Sequence, residues 1–415
     1  MSSLYPDLAA ENQPIRTPRQ QVPLWLLALF TFSGTLAMHI FVPALPFAAE
    51  DLGASVHAMQ LTVSLYIAGL AVGQLVYGPL ADRFGRRPIL MVGLAVYTVA
   101  GLAAALAPGI DSLIAARLFQ ALGGCAGLVL GRTIVRDTCE PADAAKRLAL
   151  MNLMVVIGPG LAPIVGSLLA STLGWRSIFY ALVVLGGSNL FFSWRLLPET
   201  GNTAASGNAN VRELARNYAL LLKSLAFLGY SVGGACATTA TYGFIAAAPF
   251  IFVHQLHRPA HEVGFYLAFL ISGMWLGSAL ATRLIPKVEM RRLLVRANAL
   301  SVAAAVCFLA SACLGRMNLP WVLGTMFLFT VGSAVASPAA LTKAISVNPH
   351  VTGSASGLYG CTQMAVGAIC SALVGLGSDP GLAAGLVLVV AGIIGQGAFW
   401  LAARGPAPLL PVDGR

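Results

Sequence analysis

Residues 78–89 read GPLADRFGRRPI and set four charged side chains, Asp82, Arg83, Arg86 and Arg87, between two long apolar runs. Those runs, 56–78 and 88–107, contain no Asp, Glu, Lys or Arg. Such a short charged island is a turn between two helices that avoid water. Gly78 suits close helix approach and Gly85 a sharp reversal, while Asp82 can meet a basic group or a helix N-terminus.

The same pattern extends along the whole chain. Of 415 residues 58% are hydrophobic and 10% charged, and the mean hydropathy is +0.81. A soluble globular chain carries about 25% charged residues, so this composition excludes an ordinary soluble domain. About twelve apolar runs near 20 residues, from 24–47 to 381–403, are each long enough to span a bilayer. Because a backbone in lipid must satisfy its own hydrogen bonds, the expected fold is an all-α membrane protein of twelve transmembrane helices.

Basic residues give the expected orientation. With the N-terminus inside, 21 of the 25 Lys and Arg residues fall on the cytoplasmic side, which accounts for most of the formal charge of +10. The cations are spread over many loops, so no nucleic-acid partner is implied. About 20 polar residues precede the first run, which reads as a retained helix rather than a secretory signal. The seven cysteines imply no disulfide framework. In HQLHRPAH, His254, His257 and His261 lack a completing ligand pattern and read as a wet loop, not a metal site. No cofactor and no catalytic constellation is expected, so the chain is not read as an enzyme.

The longest polar interruption, PETGNTAASGNANVRELAR at 198–216, divides the runs six and six. The expected organisation is a cytoplasmic tail (1–23), a six-helix bundle (24–197), a cytoplasmic linker (198–217), a second six-helix bundle (218–403) and a cytoplasmic tail (404–415). A weak repeat supports the division: GPLADRF at 78–84 has a counterpart, GSALATRL, at 277–284. Paired halves related by a pseudo-twofold are how many secondary transporters are built, with the substrate site near the midplane.

GPLADRFGRRPI resembles the cytoplasmic signature between the second and third helices of the major facilitator superfamily. The resemblance implies that Gly78, Asp82, Arg83, Gly85, Arg86 and Arg87 latch the cytoplasmic side in one of the alternating states. ARLFQALGG at 116–124 is similar to the fourth-helix motif of drug-exporting branches, with Arg117 in the membrane and Gln120 one turn on. Burying Arg117 costs on the order of 2.5 to 3.5 kcal/mol on insertion scales, which calls for a cavity, a partner or a task. Snorkelling to the outer surface is the alternative.

GPGLAPIVG at 158–166 resembles the antiporter motif. Gly158, Gly160 and Gly166 allow close packing, and Pro159 and Pro163 each free a carbonyl. By analogy this helix seals the periplasmic side against proton leak. FVPALP at 41–46, RTIVRD at 132–137 and GWRSIF at 174–179 are marks of the Bcr/CflA drug-exporter group, which includes bicyclomycin and chloramphenicol or florfenicol exporters.

His39 departs from that group, which usually carries an aspartate, the expected proton carrier, four residues before this proline, here Pro43. Histidine titrates near neutrality and is able to do the same work, with Arg117 as a second proton-coupling candidate. The alternative is a neutral histidine hydrogen-bonded to Tyr66 or Thr35 that merely lines the cavity. Substrate-cavity candidates are Gln60, Tyr66, Gln120, Asn152, Thr238, Thr241, Tyr242, Tyr359 and Gln363, each equally able to act as packing glue between helices.

The reading is an inner-membrane, proton-coupled exporter of small drug-like compounds of the phenicol or bicyclomycin type. It acts as a monomer, with substrate, protons and the bilayer as its partners. The alternative is a transporter of a metabolite such as a nucleoside, amino acid or aromatic acid.

Overall fold

The computed structural model describes residues 22–139, 141–200, 211–348 and 351–402. The expected tails, apart from residues 22 and 23, and linker residues 201–210 lie outside these residues. Twelve long helical segments appear among the described residues: α1 (Leu24–Leu52), α2 (Val56–Phe84), α3 (Arg86–Ala105), α4 (Ile110–Thr138), α5 (Pro141–Leu173) and α6 (Arg176–Leu196), then α7 (Leu225–Gln255), α8 (Ala260–Leu284), α9 (Met290–Cys313), α10 (Leu319–Ser346), α11 (Thr352–Gly375) and α12 (Pro380–Ala402).

Eleven of them are long and apolar enough to cross a bilayer. In α5 the apolar stretch among the described residues is Gly158–Leu173. No strand occurs among the described residues. The end of the linker is helical, Val211–Leu222, and α7 begins only after Ser224, whose hydroxyl accepts the Phe227 N–H at 3.3 Å.

Local chemistry sets the boundaries. Ser55 caps α2 through Ala58 N–H (3.2 Å), Asn318 caps α10 through Trp321 N–H (3.0 Å), and Asp379 caps α12 through Leu382 N–H (2.9 Å). Pro43 and Pro46 interrupt α1, where a short 3-10 turn at Val42–Ala44 follows the helix that ends at Ile40. The loops alternate between two ends of the bundle. We call the end carrying the 84–86 turn and the linker the linker face, and the other the far face.

In the first half α1 packs on α4, α5 and α6, α2 on α4, and α3 on α4 and α6; in the second half α7 packs on α10, α11 and α12, α8 on α10, and α9 on α10 and α12. The two halves thus repeat one arrangement and meet along two seams, α2 with α11 and α5 with α8. Lipid gives no hydrophobic drive to helix association, so close packing of small residues does this work. A Cβ on Gly34 would lie 2.8 Å from the Gly124 carbonyl, and one on Gly229 2.7 Å from the Ala398 carbonyl. Large apolar side chains such as Val99, Phe191, Leu276 and Ile393 remain exposed around the outside, as a lipid-facing surface requires.

Candidate functional site

A narrow pocket lies between the halves, within reach of α1, α5, α7, α8 and α10, and it is nearly closed, with a free volume of about 10 Å³. About one water fits in that space, so a small molecule can enter only when the halves part. Its wall is mostly apolar: Val42, Pro163, Phe244, Ile245, Leu267, Leu270, Ile271 and Met274, with His39, Thr241 and Thr330 as the polar members. The lining residues come from the middle of their helices, so the pocket sits at mid-membrane depth.

His39 is the one ionisable side chain in that wall, and it is 6% exposed. Its ring stands 6.2 Å from the Tyr242 ring, tilted by 49°. Tyr66 donates its hydroxyl to the Gly34 carbonyl (2.8 Å), and Thr35 donates to the Phe32 carbonyl (3.1 Å), so neither holds the imidazole. The Thr241 hydroxyl is buried in the same wall without a partner among the described residues, whereas Thr330 reaches the Phe327 and Leu270 carbonyls at 2.8 and 2.9 Å. The pocket therefore offers an orienting hydroxyl and an imidazole within an apolar wall.

Arg117 is elsewhere. It is fully buried and does not snorkel. Its guanidinium lies over Tyr66 (4.1 Å to the ring centre) and near Phe41 (5.4 Å) and Phe179 (5.7 Å), and Nη1 donates to Gln120 Oε1 at 2.8 Å. Nε and Nη2 have no hydrogen-bond partner among the described residues, nor has Gln120 Nε2. Aromatic faces attract the cation where a carboxylate would otherwise be needed. Phe41 turns to this cage while His39 and Val42 turn to the pocket, so α1 stands between the two candidate proton-coupling groups.

The remaining candidates separate into three places. Tyr242 joins His39. Gln363 Nε2 donates to the Thr238 hydroxyl (2.9 Å) and reaches the Tyr359 hydroxyl at 3.5 Å, and Ser333 donates to the Thr238 carbonyl (3.2 Å), which ties α7, α10 and α11 together. Gln60 lies on the α2–α11 seam against Gly375, with both side-chain polar atoms unpartnered. The side chain of Asn152 lies outside the described residues.

At the linker face Arg86 pairs with Asp82 and with Asp137 (3.1 Å). Glu199 accepts the Arg86 and Arg87 backbone N–H groups at 2.9 and 3.3 Å, and Arg87 donates to the Trp194 carbonyl at 2.8 Å. The role of Glu199 carries no signal in the local sequence, since it lies 113 residues from the group that it caps. Space around Gly78 is open: nothing lies within 4 Å of a Cβ placed there. The close helix approach expected at this glycine is not made in this arrangement.

Gly85 adopts φ +96°, and a Cβ would lie 2.7 Å from Glu199 Oε2. Gly53 has φ +58° with nothing nearby. Gly85→Ala is expected to destabilise the protein by about 1 to 3 kcal/mol, and by more than Gly53→Ala. Thermal unfolding of the three purified proteins in one detergent checks this; equal midpoints for the two variants contradict the Glu199 contact.

Bonds between the halves gather toward the far face. Ser64 meets Ser371 (2.9 Å), the His57 ring meets the Gly375 carbonyl (3.0 Å), and Ser167 donates to the His261 carbonyl (2.8 Å). The 158–166 segment supplies the α5 side of this closure. Cβ atoms on Gly158 and Gly160 would lie 3.0 Å from the Phe32 ring and 2.7 Å from the Trp275 ring, Gly166 abuts the Ile40 carbonyl, and Pro163 lines the pocket. The partly buried Pro159 sits between two of these glycines.

Comparison with known proteins matches this arrangement to a family. A protein described as the bicyclomycin resistance protein homolog of Haemophilus influenzae is 27% identical over 348 residues, covering 84% of this chain and 87% of that one. The chloramphenicol resistance protein of Pseudomonas aeruginosa is 29% identical over 340 residues, 81% and 79% of the two chains. A D-xylose–proton symporter structure superposes with a TM-score of 0.71 at 13% identity over 93% of this chain and 97% of that one, a likeness of fold. The family model for the Major Facilitator Superfamily matches residues 27–372, and with twelve helices in two like halves around a central pocket, the chain belongs to that superfamily of multi-pass membrane transporters and is not an enzyme.

Proposed function

We propose that the chain exports small, neutral, largely apolar compounds of the phenicol or bicyclomycin type in exchange for protons, by alternating access. In this reading it lies in the bacterial inner membrane as a monomer, with both termini and the linker face cytoplasmic and the 78–89 turn acting as the gating latch. The observation that carries the proposal is the pocket between the halves, whose only ionisable lining group among the described residues is His39. Its apolar wall suits a drug-like ligand, and the Thr241 hydroxyl can orient one polar group of it.

The names of the relatives in Haemophilus influenzae and Pseudomonas aeruginosa point the same way. Arg117 bears on the choice of substrate. Shut away behind α1, it adds no positive charge to the pocket wall, which weighs against an anionic metabolite.

The test is proton movement in inverted membrane vesicles holding an imposed pH gradient, challenged with phenicols, bicyclomycin, lipophilic cations, nucleosides and aromatic acids. A phenicol or bicyclomycin is expected to dissipate the gradient only in vesicles that contain the protein. Response to a nucleoside or an aromatic acid alone would replace the drug-export reading with metabolite transport.

A further inference from the structure

The 78–89 turn and its second-half counterpart differ in how their charge is met. In the repeat, Asp82 corresponds to Thr282, so the second half lacks the carboxylate that pairs with Arg86 in the first. Beyond Thr282 the chain runs into Glu289, Arg291, Arg292 and Arg296 at the start of α9. Glu289 pairs with Arg292 at 3.0 Å. Arg291 and Arg296 have no carboxylate within ion-pair distance among the described residues. Arg292 and Arg296 also stand four apart on one helix, a like-charge spacing that destabilises it, and the first turn of a helix disfavours cations. Nothing in the packing of α9 requires these charges, since all three arginines are exposed.

These residues wall a groove of about 410 Å³, formed by Glu289, Arg291, Arg292, Val295, Arg296 and, from α12, Trp400. Trp400 is 56% exposed, and Ile394 and Ile393, about two turns earlier on α12, continue an exposed apolar surface toward the membrane centre. A basic cleft at a helix end, edged by an interfacial tryptophan and open onto a lipid-facing wall, has the chemistry of a phospholipid: phosphate on the guanidinium groups, acyl chains along the helix.

We propose that the groove between the start of α9 and the end of α12 binds the headgroup of an anionic phospholipid. The lipid supplies the negative charge that Asp82 and Asp137 supply in the first half. A soluble phosphate would meet the same arginines but would leave the apolar continuation along α12 without a role, which selects the lipid.

The experiment is native mass spectrometry of the full chain in neutral detergent, titrated with phosphatidylglycerol or with phosphatidylcholine, and then with phosphatidylglycerol against excess inorganic phosphate. Phosphatidylglycerol is expected to bind more tightly than phosphatidylcholine. The double variant R291Q/R296Q is expected to lose about 25-fold in affinity, about fivefold per arginine. R291K/R296K should keep most of the affinity, which separates loss of charge from loss of fold, and K343Q, a change elsewhere on the same face, should leave it unaltered. Equal binding by the native chain and R291Q/R296Q overturns the proposal. So does equal binding of the two lipids, or displacement of phosphatidylglycerol by inorganic phosphate, which would mark a site for a soluble anion.

Discussion

Replacing His39 by alanine is expected to abolish substrate-driven proton release while leaving substrate exchange across the membrane intact. The expectation follows from the pocket wall, where the imidazole is the only side chain among the described residues that can take up and release a proton. Its ring makes no hydrogen bond to Tyr66 or Thr35, whose hydroxyls are committed to backbone carbonyls, and one edge of it is open to the pocket. In the proposed exchange, a ligand entering between the halves and a proton on His39 compete for this wall. Protonation places a charge in an apolar wall, and a neutral ligand that excludes water makes that charge more costly.

In the proposed antiport, exchange of labelled for unlabelled substrate needs only binding and the conformational cycle, whereas net efflux against a gradient needs the proton. The loss of coupled proton release in His39→Ala is expected to be on the order of 10²-fold or more, the scale on which removal of a positioned proton acceptor acts. His39→Asp should restore part of it, because an aspartate is an acid at the same depth. If His39→Ala loses exchange as well, the histidine binds substrate and the proton travels elsewhere. If coupled release persists at the native level, His39 only lines the cavity.

Arg117 illustrates how far a sequence goes. Its charge, its membrane depth and its neighbour Gln120 at one turn were all legible, and the Arg117–Gln120 bond forms as the spacing requires. Its surroundings were not legible. Phe41, Tyr66 and Phe179 come from α1, α2 and α6, and their convergence on one guanidinium is a tertiary fact with no local signature. The pocket wall is hidden for a related reason. Phe244, Leu267 and Met274 belong to the same residue classes as the exposed Phe265, Phe269 and Leu276 on the lipid side, and in a membrane helix hydropathy no longer distinguishes inside from outside.

Helix number was readable because length and apolarity alone decide a membrane span. Boundaries followed less closely. Residues 220–250 read as one apolar run in the sequence, yet they contain the end of the linker helix and the Ser224 cap as well as most of α7, which continues to Gln255. Apolarity carries no mark of a helix break that a single capping hydroxyl makes.

The glycine and proline pattern at 158–166 was readable as close packing, and the identity of the partner gives it a consequence. A Cβ on Gly166 would overlap the carbonyl of Ile40, the residue after His39 and the last of the helix before α1 breaks. Pro163, three residues earlier in α5, lines the pocket. At Gly166, then, α5 holds α1 where the pocket wall bends, close to the seam closed by Ser167 and the His261 carbonyl.

An alanine there must push the two helices apart or bend one of them, at a cost of about 1 to 3 kcal/mol. Opening that contact also gives water a route toward His39 from the far face. Gly166→Ala is therefore expected to lower the thermal midpoint and to raise proton leak in substrate-free vesicles. Gly187 on α6 provides the contrast, because nothing lies within 4 Å of a Cβ there. Gly187→Ala should leave leak unchanged and hold or raise the midpoint, since alanine favours a helix over glycine by about 1 kcal/mol. Both properties would be read on proteoliposomes matched for protein content. Equal leak from the two variants would show that the Gly166 contact does not seal the pathway, and the far-face closure would then rest on the α2–α11 bonds of Ser64 and His57.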